Sequence, residues 1–283
     1  MLTIHTTTLL DDLAFGEGPR WREGLLWFSD MHSQKVLTVD LAGQRREICT
    51  VENDPSGLGW LPDGRLLVVS MRNRQLLRQE PDGQLAVHAD LSAWASFHCN
   101  DMVVNRQGQA YVGHFGWDLH GGGTRCLAQL LRVDPDGSTQ VAAADLDFPN
   151  GSVITPDGRT LIVAETMGRR LTAFDIEPDG SLTHRRVWAE FEALLPDGIA
   201  LDADGAVWVA SPVSHGCFRV VEGGEITHRV AVERQAYACM LGGPERRHLF
   251  ICTAGDSVPD HCTRERDGQI EVVEVDIPGC GLP

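Results

Sequence analysis

Asp-Gly pairs recur along the whole sequence, each set between short runs of apolar and β-branched residues. They fall at 63–64, 82–83, 136–137, 157–158, 179–180, 204–205 and 267–268, with Gln107-Gly108 in the same role. A tight β-hairpin needs positive φ at its tip, which Asp-Gly supplies at little steric cost, so this punctuation predicts a chain built of hairpins. The clearest unit runs from Gly57 to Leu91, with strands at 59–61, 66–70, 75–78 and 85–88. Its two Pro-Asp-Gly turns join first strand to second and third strand to fourth. Similar units cover Leu25 to Val39, Met102 to Val141, Val153 to Trp188, Ile199 to Val230 and Ala238 to Val275.

Repeats of roughly 40 to 50 residues with four strands each have the period of propeller blades. The expected fold is therefore all-β, a six-bladed β-propeller with four antiparallel strands per blade, in one domain over residues 1–283. No long stretch carries a helical period, and no linker or low-complexity segment interrupts the units. The last unit is one strand short. Thr3 to Leu9, strand-like and otherwise unassigned, would supply the missing strand and close the ring, limiting exposed sheet edges.

Charge narrows the partners. A formal charge of -16 argues against nucleic acid and anionic membranes, which both need basic patches, and favours cations or neutral small molecules. No run approaches the length of a membrane span, and Met1 to Leu10 has neither the basic region nor the apolar core of a signal peptide, so the expected location is cytoplasmic. The eight cysteines are scattered without a Cys-x-x-Cys pair, which reads as buried thiols rather than a zinc or disulfide framework. Oligomeric state is not legible.

Because strands within a blade alternate in direction, the Asp-Gly hairpins share one face of the disc and all other connections share the opposite face. That second face collects Glu17 in Gly16-Glu17-Gly18, Asn100 in His98-Cys99-Asn100-Asp101, Asn150 in Pro149-Asn150-Gly151 and Asp197 in Pro196-Asp197-Gly198. Each stands just ahead of the first strand of its blade, at the mouth of the central channel. Four side-chain oxygens converging on one point suit a hard divalent cation such as calcium or magnesium, and manganese is also accommodated. Singly, each has a plainer reading. Pro-Asn-Gly and Pro-Asp-Gly are turn sequences, Glu17 has a partner in Arg20, and Asn100 could cap a turn. The two Pro-Asx-Gly sequences nevertheless lie between units, where hairpin tips do not.

His32, His98 and His114 fall on the same face as candidates for substrate contact or proton transfer. Met71 and Trp117 join them, Trp117 as an apolar lid on a glycine-rich loop. Glu165 with Arg169 or Arg170 reads as a structural ion pair at the channel rim.

The combination Phe15-Gly16-Glu17-Gly18-Pro19-Arg20-Trp21, Asn100-Asp101, Phe148-Pro149-Asn150-Gly151 and Pro196-Asp197-Gly198 resembles the senescence marker protein, gluconolactonase and luciferin-regenerating family over nearly the whole chain. The resemblance implies a divalent cation, calcium first, with manganese, magnesium, zinc or iron as alternatives. Glu17, Asn150 and Asp197 would be direct ligands, and Asn100 a further ligand or a substrate-positioning group. It implies hydrolysis of a small-molecule lactone, the cation polarising the carbonyl and Asp197 assisting the attacking water, with His98 and His114 as further catalytic candidates and His32, Met71, Asn100 and Trp117 at the substrate. Sugar-lactone members carry Arg-x-Asn-Asp-Gly where this chain has His98-Cys99-Asn100-Asp101-Met102. The missing guanidinium, which could bind hydroxyls bidentately, points to a less hydroxylated lactone. Two alternatives stand beside this reading: a propeller hydrolase of phosphotriesters, and a metal-binding propeller without turnover.

Overall fold

The computed structural model describes residues 3–281. Six sheets surround one axis, each running outward from an inner strand in chain order. The inner strands are Gly16–Arg22, Pro55–Trp60, Cys99–Val104, Pro149–Ile154, Ile199–Leu201 and Gln235–Gly242. Each packs beside the next around the axis, and the sixth packs against the first, so the ring is closed. The four strands of each blade pair antiparallel, as expected of a six-bladed β-propeller. Between blades the cores are apolar. Leu26 and Phe28 of blade one pack with Met240 and Phe250 of blade six, burying apolar surface where the ring closes.

The N-terminal segment closes the ring, but not as one strand. Thr7–Leu13 pairs antiparallel with Gly268–Glu274 as the outer strand of blade six. Thr3–His5 instead pairs in parallel with Ile226–Ala231 and extends blade five to five strands. One bend at Thr6 thus ties two blades together, and the Thr6 hydroxyl is hydrogen-bonded to Glu271.

Among the described residues one α-helix, Pro259–Glu265, interrupts the expected all-strand pattern. It occupies the connection between the second and third strands of blade six, and at seven residues it is too short to leave a periodic trace in the sequence. Cys99, Cys217, Cys239, Cys252 and Cys262 are buried thiols, whereas Cys126 is exposed. Among the described residues no helix is long and apolar enough to cross a membrane.

The inner strands share an irregularity that positions the site. Against its neighbour, blade one steps from Glu17–Ser29 to Arg20–Trp27, blade three from Cys99–His114 to Met102–Val112, and blade four from Pro149–Glu165 to Ser152–Val163. Blade two does the same between Pro55–Ser70 and Leu58–Val68. Blade six does so between Ala236–Thr253 and Ala238–Cys252, and one extra residue near the start of the inner strand in five blades is a repeated β-bulge, a device that redirects side chains at the end of a sheet.

Candidate active site

The starts of the inner strands bring the expected oxygens together. Glu17, Asn100, Asn150 and Asp197 all line one cavity of about 110 Å³ at the mouth of the channel, and each is buried. Asn150 and Asp197 touch directly, the Asn150 amide donating to Asp197 Oδ1 at 2.5 Å and to Thr166 Oγ1 at 3.2 Å. Backbone fixes Asp197 from both sides. Its N–H donates to Ala210 O, its carbonyl accepts from Gly151 N–H, and Gly198 N–H donates to Tyr237 O in blade six. Gly151 is needed there, because a Cβ would meet Ile199 N at 2.6 Å and Asp197 O at 2.7 Å.

Glu17 does not pair with Arg20. Its Oε2 accepts from Gly18 N–H at 2.9 Å, while Arg20 reaches across the channel to Asp101 at 2.9 Å. Burial raises the Glu17 carboxyl above its usual range and the negative charge of Asp101 adds to this. Burial likewise raises Asp197, reinforced by Glu17 and then Asp101. Two buried acids that disfavour each other's ionisation, faced by two amide side chains, form a donor set that a hard cation would relieve. Among the described residues no group of three or more His, Cys, Asp or Glu converges on a metal position, so a cation here would depend on the two amides as well as the two carboxylates.

Above this floor the wall divides in two. Phe15, Met31, Met71, Phe115 and Phe148 form an apolar side, with Phe115 and Phe148 rings 4.5 Å apart. His32, Asp54, Arg72, His98 and His120 form a polar corner. There Arg72 Nε lies 2.6 Å from Asp54 Oδ2 and His32 Nδ1 lies 3.7 Å from the same oxygen. Burial opposes ionisation of Asp54, but His32 and Arg72 together hold its carboxyl below the usual value. His98 is lowered first by burial and then by Arg72, and His120 by burial and then by His32. His98 also stacks on Phe97 at 4.0 Å.

Two expected site residues lie elsewhere. His114 is fully buried on the second strand of blade three and does not line the cavity. Its Nδ1 accepts from Gly116 N–H at 3.1 Å and its Nε2 lies 3.0 Å from Gln129 Oε1. Its two ring nitrogens are thus engaged within blade three, at the loop that follows and at the third strand, away from the cavity lining. Trp117 packs, with Leu119, against the apolar cluster that includes Phe15, Met71, Phe115 and Phe148 and does not itself line the cavity, whereas Leu119 and His120 of the same loop do. The ion pair of Glu165 with Arg170, at 2.8 Å, forms as expected, and Arg185 joins it at 3.3 Å.

Asp54 and Tyr237 are wall residues that the sequence reading missed. Asp54 stands one residue ahead of Pro55-Ser56-Gly57, the stretch that parallels Pro149-Asn150-Gly151 and Pro196-Asp197-Gly198, so alignment of the units puts Ser56, and not Asp54, at the level of Asn150 and Asp197. Neither Asp54 nor Tyr237 therefore carries a signal in the repeat.

Residues 15–255 match the family described as SMP-30/gluconolactonase/LRE-like region. Among curated relatives, a 6-deoxy-6-sulfogluconolactonase of Pseudomonas putida is 25% identical over 281 residues, covering 95% of this chain and 94% of its own. A pentonolactonase of Haloferax volcanii is 28% identical over 251 residues, covering 85% and 81%. Among solved structures, a calcium-binding protein, regucalcin, from Agrobacterium tumefaciens superposes with a TM-score of 0.83 at 21% identity, covering 100% of this chain and 99% of that one.

Proposed function

The chain belongs to the SMP-30/gluconolactonase/LRE-like family, and from that membership we propose that it hydrolyses a lactone with the help of a divalent cation at the channel mouth. The observation that carries this reading is the pair of buried carboxylates, Glu17 and Asp197, faced by the amides of Asn100 and Asn150 at the bottom of a half-apolar cavity. Curated relatives with lactonase names over most of the chain support the reaction class. A regucalcin described as calcium-binding, with the same fold, makes calcium the first ion to test.

Glu17, Asn150 and Asp197 would hold the cation, with Asn100 as a fourth ligand or a group that orients the substrate. When bound, the cation would polarise the lactone carbonyl and stabilise the negative charge that develops on its oxygen. The residues supply the rest. With Asp197 Oδ1 engaged by Asn150, Oδ2 would accept a proton from water attacking the carbonyl carbon. The same proton is then returned to the ring oxygen as its bond to the acyl carbon breaks, leaving an open-chain hydroxy acid. Phe15, Met31 and Phe115 exclude competing water, and His98, neutral through burial, offers one hydrogen bond where an arginine would offer a bidentate pair.

Protein stripped by chelation should lose lactone turnover and regain it on restoring calcium, manganese, magnesium or zinc one at a time. Gluconolactone and simple alkyl lactones form the panel, with a phosphotriester as the alternative substrate. Turnover that ignores chelation overturns the cation's role, and phosphotriester turnover above that of every lactone overturns the reaction class. A gluconolactone preference beyond tenfold in kcat/KM, about 1.4 kcal/mol, overturns the reading of His98.

A further inference from the structure

Beneath the cavity floor lies an ion pair for which the proposed chemistry has no use. Arg20 and Asp101 sit on the inner strands of blades one and three, with side chains only 6% and 7% exposed. Arg20 Nη2 donates to Asp101 Oδ1 at 2.9 Å and to Met102 O at 2.5 Å, and its Nη1 donates to Pro19 O at 2.8 Å. The pair spans the inner strand of blade two, which makes room for it. A Cβ at Gly57 would lie 2.9 Å from Asp101 Oδ1 and 2.5 Å from Met102 N. Burying an ion pair is costly and by itself a weak source of stability, so its place directly under the acids calls for an electrostatic account.

We propose that Arg20 and Asp101 are positioning residues that balance the charge of the floor to that of one divalent cation. This inference rests on the cation reading above and concerns residues that are not ligands. Glu17, Asp197 and Asp101 carry three negative charges when ionised and Arg20 one positive, leaving two in excess, equal and opposite to a divalent ion. Asp101 strengthens the negative field felt at Glu17 and Asp197, and Arg20 limits it at Glu17. In a buried site such charges act over several ångströms with little screening.

The test is calcium titration by calorimetry, paired with thermal unfolding of the chelated and calcium-loaded protein. Asp101→Asn leaves Arg20 unopposed and should weaken calcium binding by about tenfold or more. Arg20→Met leaves an extra negative charge, and should tighten binding while destabilising the chelated protein. The double variant Arg20→Met/Asp101→Asn restores the net charge and should bind within about threefold of the wild type. If Arg20→Met does not fold, Arg20→Lys, which keeps the charge and should bind within about threefold of the wild type, takes its place beside the double variant. Single variants that shift affinity in the same direction, or a double variant as weak as Asp101→Asn, show the pair to be only structural and overturn this inference alone. A wild type that binds no divalent ion overturns the cation reading and this inference with it.

Discussion

Asp197 is held before any ligand arrives: the Asn150 amide grips one carboxylate oxygen, and backbone hydrogen bonds to three neighbouring segments fix its main chain. A residue fixed so firmly suits a proton acceptor, since little reorganisation is needed at the moment of reaction. Asp197→Asn keeps an oxygen donor and nearly the same volume while losing the base. At saturating calcium its kcat should fall by about 10²- to 10⁴-fold, read by steady-state lactone hydrolysis. A kcat near wild type under those conditions would leave Asp197 as a ligand only and turn attention to His32, His98 and His120, the histidines that line the cavity. His114 drops out of that search because its ring nitrogens are committed within blade three.

At the scale of the strand, the repeated bulge and the close approach of neighbouring inner strands form one device. The bulge turns Glu17, Asn100 and Asn150 into the channel, and glycine lets the next strand come near enough for their side chains to meet. Gly151→Ala would set a methyl group 2.6 Å from Ile199 N and 2.7 Å from Asp197 O, with backbone on both sides and no flexible side chain to yield. The expected cost is about 1–3 kcal/mol of overpacking, measured by urea unfolding, with a loss of calcium affinity as blades four and five part. Stability within about 0.5 kcal/mol of wild type would mean that the strands separate without strain.

Over the whole molecule, the site is where all six blades meet. Glu17, Asp54, Asn100, Asn150, Asp197 and Tyr237 each come from a different blade, so a ligand bound to several of them ties the ring together across its axis. If calcium is that ligand, as proposed, linkage requires that it stabilise the fold. At a free concentration of a hundred times Kd the gain is about 2.7 kcal/mol, or about 5–10 °C in Tm for a chain of this size. Glu17→Gln should remove most of that shift while leaving the Tm of the chelated protein no lower than wild type, because it relieves a buried acid raised by burial and by Asp101. Identical melting curves with chelator and with calcium would overturn the expectation.

The sequence alone determined the blade count, the strand order, the face on which the functional loops gather and the four oxygens of the floor, because all of these follow from local signals. Asp-Gly at a hairpin tip, alternation within a strand and an acid or amide ahead of an inner strand can be read one unit at a time, and strict alternation of strand direction then sorts the loops by face. The same reasoning left the N-terminal segment as one strand, where the structure divides it between blades five and six at Thr6. Only the tertiary structure decided which neighbours each side chain meets. Arg20 pairs with Asp101, eighty-one residues away, and not with Glu17 on its own strand. In the loop after His114, Trp117 and Leu119 pack against one apolar cluster, and it is Leu119 and His120, not Trp117, that line the cavity. Those outcomes depend on packing across blades, on the bulge that shifts five of the six inner strands by one residue and on the glycines that let strands touch, none of which a single unit of sequence contains.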